Sequence, residues 1–199
     1  MKSLGKGGIL LIVIAIILVL WGVGKYNSLV SLKQGVEKYW ADVEAQYQRR
    51  ADLIPNLVNT VKGYAAHESE TFQAVTEART KATQTQINIE NGEGLTPEAI
   101  EKFQAAQNEL TGALGRLIAV AENYPELKAD GLFQDLQSQL EGTENRINVA
   151  RQDFNKAAKD FNTKVLKFPT NIIAKLFGFD KTAYFAAEEG TDKAPVVEF

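Results

Sequence analysis

Phe133, Leu140, Ile147, Phe154, Phe161 and Phe168 stand seven residues apart, one after another. Leu136, Thr143, Ala150 and Ala157 follow the first four of them at a distance of three. A strand cannot use this pattern, because its faces alternate every two residues. An α-helix can, because a seven-residue repeat lays a narrow apolar seam down one side. A helix with such a seam cannot bury it alone, so the rest of the chain has to supply partner helices. Pro169 closes the run.

Three further segments have a helical period. Leu29, Leu32, Val36, Trp40, Val43 and Tyr47 step by three or four. A second segment, from about Leu53 to Ile89, carries Leu57, Val61, Ala65, Phe72, Val75, Ala82 and Ile89. The polar run NGEG ends it. The third opens on Thr96-Pro97, an N-cap followed by proline at the first helical position. Ile100, Phe103, Gln107, Leu110, Leu114, Leu117, Ala121 and Tyr124 then alternate steps of three and four, until YPEL stops them. No segment has a period of two. The expected fold is all-α, an up-and-down antiparallel four-helix bundle with a short C-terminal helix and an extended tail.

The bundle is preceded by GGILLIVIAIILVLWGVG, Gly7 to Gly24, without a charge between Lys6 and Lys25. At a rise of about 1.5 Å per residue this run covers roughly 27 Å, close to the hydrocarbon core of a bilayer. Trp21 and Tyr26 fall where an aromatic belt would lie. The run reads as a single-pass transmembrane helix whose partner is the lipid bilayer. A cleaved signal peptide is the rival reading, but it lacks an A-x-A site and the run is long for one. Lys2, Lys6 and the amino terminus on one side nearly balance Lys25, Lys33 and Lys38 on the other, so basic residues set no orientation. The expected organisation is a flank over 1–6, a membrane helix over 7–24, the bundle over 25–168, and a cap helix and tail over 169–199.

The stretch RRADLIPNLV raises the question of where the first bundle helix ends. Pro55 lacks an amide proton and disfavours helical geometry at Ile54. Asp52 is placed to cap a new helix. The sequence therefore favours a chain reversal at residues 52–55, with one long kinked helix as the alternative. Charged residues gather on or beside the seams. Arg50 lies seven after Val43, Glu68 between Val61 and Val75, and Arg79 seven after Phe72. Glu144 and Arg151 lie four after Leu140 and Ile147. Isolated buried charge is costly, so Arg50, Asp52, Glu68, Arg79, Glu144 and Arg151 are expected to form a structural polar network that fixes helix register.

Catalytic chemistry finds little support. Of 199 residues none is cysteine and one is histidine, His67. His67-Glu68 has no second histidine at the spacing of a zinc helix, and no Glu-x-x-His pair occurs. Ser28, Ser31, Ser69 and Ser138 sit in helical sequence without a nucleophile elbow. There is no Gly-rich phosphate loop. A net charge of −3 without a basic block points away from nucleic acid. The expectation is a non-enzyme without metal or cofactor, with His67 a polar helix residue near one end of the bundle.

RRADLIPNLV, EGTENRI and FPTNIIA are long and specific strings, and TAYFAAEEG continues them. Through them the chain resembles LemA family proteins from the membrane helix to about residue 190. The resemblance implies a bacterial protein anchored in the cell membrane and carrying a four-helix bundle. It implies a setting too, since some members are linked to membrane-bound organelles and family genes often neighbour those of membrane proteases. It supplies no reaction and no catalytic residues.

Beyond Pro169, Ile172, Ile173, Leu176 and Phe177 form a short apolar face opposite Asn171 and Lys175. Its readings are a cap on the bundle or a surface for membrane or partner. Val197-Glu198-Phe199 has the pattern of a terminus that adds to a sheet edge, with a nest of backbone amides holding the carboxylate and a pocket holding Phe199. Folding back or disorder is the plainer reading. The functional expectation is a scaffold or interaction module at the bacterial cell membrane. An adaptor or modulator of a membrane protease is the alternative, and a small-ligand receptor using the polar seam is a third.

Overall fold

The computed structural model describes residues 6–89 and 94–186. Among them are six helices and no strand: α1 (Lys6–Tyr64), α2 (Ser69–Asn88), α3 (Pro97–Asn123), α4 (Pro125–Lys128), α5 (Gly131–Leu166) and α6 (Thr170–Leu176).

The chain does not reverse at residues 52–55. α1 runs through Pro55 for 59 residues, about 88 Å at the usual rise. Its inward positions explain why. Val43, Tyr47, Arg50, Ile54, Leu57 and Val61 are all buried and step by three or four without interruption. Apolar burial on both sides of the proline outweighs the loss of one backbone hydrogen bond. Asp52 consequently caps nothing. It is exposed in mid-helix and accepts a bond from Gln48 Nε2 at 2.7 Å. The reversal comes later, where Ala65–Glu68 form a turn closed by the Glu68 amide on the Ala65 carbonyl at 3.0 Å. His67 is exposed in this turn rather than on a helix.

Side-chain pairs give the helix directions. Along α1 and α5, Trp40 meets Phe154, Arg50 meets Glu144 and Tyr64 meets Asp130, so these helices run antiparallel. Lys81 meets Glu109 and Glu68 meets Tyr124, so α2 and α3 are also antiparallel. Trp40 and Tyr47 touch Phe103, and Arg50 reaches Thr111, so α3 runs parallel to α1.

Caps define the ends. The Thr96 side chain accepts from the Ala99 amide at 3.2 Å. Asp130 Oδ1 accepts from the Phe133 amide at 2.8 Å and starts α5. Along α5 the seam drifts. Phe133, Leu136, Leu140, Thr143, Ile147 and Ala150 are buried on the strict repeat, but past Phe154 the buried partners are Ala158 and Val165. A helix of 3.6 residues per turn moves about 20° per heptad, which brings the next position inward. Phe168 falls beyond the end of α5 and is 75% exposed, so the last heptad position is not part of the seam.

Asp130 also joins the two ends of the distal turn region, since its Oδ2 accepts from Tyr64 Oη at 2.8 Å. The Phe133 amide and then the Tyr64 hydroxyl hold the Asp130 carboxyl below its usual range. The bond to Asp130 holds the Tyr64 hydroxyl above its usual range. The depressed carboxyl stabilises the fold above its unfolded pKa, and that contribution is lost as pH falls through the folded value. The raised phenol contributes below its unfolded pKa and loses that contribution as pH rises through the folded value. Asp130→Asn should therefore flatten the acid limb of the melting-temperature profile, and Tyr64→Phe the alkaline limb. Unchanged limbs in both variants would contradict the linkage.

Candidate functional site

The core is divided. One apolar cluster holds Ile54, Leu57, Val61, Phe72, Val75, Leu110, Leu117, Phe133 and Leu140. The other holds Leu29, Val36, Trp40, Val43, Tyr47, Phe103, Ile147, Phe154 and Phe161. Between them lies a polar layer centred on Arg50, which is 1% exposed. Its Nη1 donates to Glu144 Oε1 at 2.6 Å and to Thr111 Oγ1 at 3.0 Å. Its Nη2 donates to the Gln107 side-chain and main-chain carbonyls. The guanidinium lies over the Tyr47 ring, 5.0 Å from the centroid. Nε is buried without a hydrogen-bond partner among the described residues. Gln107 comes from a seam position of α3 and Thr143 fills the matching level of α5, both buried. The cation is carried inside while Glu144 keeps 39% of its side chain in solvent, so the desolvation cost falls on the arginine.

The other charges of the expected network go elsewhere. Arg79 Nε donates to the Ala51 main-chain carbonyl at 2.8 Å. That carbonyl lies four residues before Pro55, so the proline leaves it without its helical donor. Arg79 supplies the donor from α2, and α1 stays continuous. Replacing Arg79 with methionine should cost about 1–3 kcal/mol, the usual penalty for an orphaned buried acceptor. The same change made in a Pro55→Ala chain should cost little, because alanine restores the missing amide. Equal losses in the two backgrounds, measured by urea unfolding, would refute this account.

Glu68 is not on a seam. It precedes α2 in the turn and accepts from Tyr124 Oη at 3.5 Å, because the chain reverses where a continuous repeat would have placed it inward. Arg151 is buried and turned toward the C-terminal segment. Its Nη2 donates to the Ala186 carbonyl at 3.0 Å, and its guanidinium lies over Phe185.

That segment is a strap against α3 and α5. Asn162 accepts from the Thr182 amide and donates to the Thr182 carbonyl, at 2.9 and 2.8 Å. Asn155 does the same for Phe185, at 2.9 and 3.0 Å. Gln104 does so for Ala186, at 3.2 Å in both directions. The Phe185 ring is buried against Trp40, Phe103 and Phe154. Asn155, Asn162, Gln104 and Phe185 were not singled out from sequence. The available signal was that Asn155 and Asn162 stand seven apart, each directly after a seam phenylalanine.

α6 buries Thr170 and Ala174 and packs Ile173 against the rest. Ile172, Leu176 and Phe177 point outward, so the four apolar residues do not share one buried face. Gly178 ends α6 with φ +70, a conformation that favours glycine, and the Phe179 amide returns to the Ala174 carbonyl at 2.9 Å. Val197 and Phe199 lie outside the described residues.

The LemA family model matches residues 39–199. This chain belongs to the LemA family. The matched region begins inside α1 and takes in Arg50, Pro55, Arg79, Glu144 and the strap. Among curated relatives, Magnetosome protein MamQ 1 of Paramagnetospirillum magneticum is 28% identical over 98% of this chain and 79% of its own length. Magnetosome protein MamQ of Magnetospirillum gryphiswaldense is 26% identical over 87% of this chain and 68% of its own. Protein LemA of Metamycoplasma hominis is 24% identical, with 84% and 71% covered. α1 of this LemA-family chain is the one helix among the described residues long and apolar enough to cross a membrane.

Proposed function

We propose that this LemA-family chain is a non-enzymatic interaction module, an up-and-down four-helix bundle of α1, α2, α3 and α5 held on the bacterial cell membrane by a single pass over residues 7–24. The observation that carries the reading is the continuity of α1. One helix runs from an apolar window in which no residue is buried to the far end of the core. A helix that spans lipid and then forms part of a packed core couples the two rigidly. Such a device holds a protein surface at a fixed height and attitude above a bilayer. Likeness to proteins named for the magnetosome supports a membrane setting. The Arg50 layer fits the role of a register device, since a buried cation with fixed partners on α3 and α5 disfavours slipped pairings.

The test has two arms. The full chain should sediment with membranes after an alkaline wash, and a chain lacking residues 7–24 should not. Photo-crosslinking residues at exposed body positions such as Leu132 and Val149 should give discrete protein adducts that depend on the intact stalk. A chain that washes off, or a body that yields no adduct from any exposed position, would overturn the reading.

A further inference from the structure

We propose that α6 and the residues just before it form a foot that lies in the membrane–water interface beside the stalk and engages anionic lipid headgroups. The inference rests on the membrane-anchor reading above.

Position comes first. A methyl group built on Gly22 would meet Ile173 Cδ1 at 3.8 Å. The Tyr26 ring lies 4.9 Å from Phe177 and 5.6 Å from Phe179. α6 therefore stands beside α1 where the uncharged run ends and Lys25 begins. Any bilayer that takes up residues 7–24 brings its headgroup layer to α6. A helix of seven residues, about 10 Å long, is too short to cross and can only lie there.

The surface has the matching chemistry. Leu166, Phe168, Ile172, Leu176 and Phe177 are 56–75% exposed and fall within twelve residues. Elsewhere on the described body, exposed large aliphatic residues such as Ile87, Leu132 and Val149 stand apart from one another in sequence. An apolar patch of this density marks a contact surface. Charge selects the occupant. Lys164, Lys167, Lys175 and Lys181 stand against the single acid Asp180 between residues 164 and 181, in a chain whose net charge is −3. Lysines around aromatic and leucine side chains suit anionic headgroups with the rings at the acyl boundary.

The foot would give the bundle a second point of support. A single helix leaves tilt and rotation free, and interfacial anchors restrict both.

The experiment uses the full chain, which has no cysteine of its own. Single cysteines replace Ile14, Ser138, Phe168 or Leu176 and carry an environment-sensitive fluorophore. Each protein is reconstituted into phosphatidylcholine vesicles, or into an equimolar mixture with phosphatidylglycerol, with lipid-borne quenchers at shallow or deep positions. Ile14→Cys should be quenched by the deep probe. Phe168→Cys and Leu176→Cys should be quenched by the shallow probe several-fold more than Ser138→Cys, and more strongly in the anionic vesicles. Ile14→Cys quenched with both foot positions no better than Ser138→Cys would overturn the foot and leave the anchor standing. Foot positions in an apolar setting without lipid quenching would assign the patch to a protein contact and equally overturn it. Equal quenching in the two vesicle types would overturn the anionic-headgroup part. An unquenched Ile14→Cys would remove the anchor and the foot together.

Discussion

Glu144→Leu should lower the stability of the helical body by about 3–5 kcal/mol, the range for breaking a buried ion pair from one side. The variant keeps a guanidinium that is 1% exposed and removes the carboxylate paired with it. Arg50→Leu should cost less. It leaves behind a carboxylate whose side chain is 39% exposed and already hydrated, together with Gln107 and Thr111, neutral acceptors that lose a charged donor but leave no unpaired buried charge. The double variant should recover much of the loss, because an apolar pair at this level joins the two clusters it now separates. Urea unfolding of the four chains decides the matter. Additive losses would deny the pairing, and a larger loss from Arg50→Leu than from Glu144→Leu would deny the asymmetry.

The second large effect is expected at the strap. Phe185→Ala should cost about 3 kcal/mol or more, as for other large-to-small changes in a packed core. The ring is 4% exposed and touches Trp40, Phe103 and Phe154. The loss should be local in origin. The Thr182 and Phe185 amides, held by Asn162 and Asn155, should exchange hydrogen much faster, while those of α2 keep their protection. A loss under about 1 kcal/mol, with unchanged exchange at both amides, would show that the ring adds little to the core.

Local pattern revealed most of the helices. The Thr96-Pro97 start, the inward row from Ile100 to Ala121 and the heptads from Phe133 to Phe161 are each set by neighbours in sequence, and the structure places them on helices. The error at Pro55 shows how such reading fails. Two local rules disagreed there, a proline that breaks a helix and an inward row that crosses it unbroken. The row was decisive, and the donor that makes this tolerable sits on Arg79, 28 residues away. Once α1 continues, Asp52 has no helix to cap and Glu68 moves into the turn.

The sequence by itself determined an all-helical chain, an uncharged apolar run between Lys6 and Lys25, the LemA family and an arginine delivered to the core. These follow from period, composition and contiguous strings, all of which are local quantities. Only the tertiary structure decided where the first reversal falls, that Arg50 meets Glu144, Gln107 and Thr111, that three side-chain amides grip the strap, and that α6 comes to rest beside Gly22. Each of these depends on groups distant in sequence, whose meeting is fixed by how several seams are buried at once.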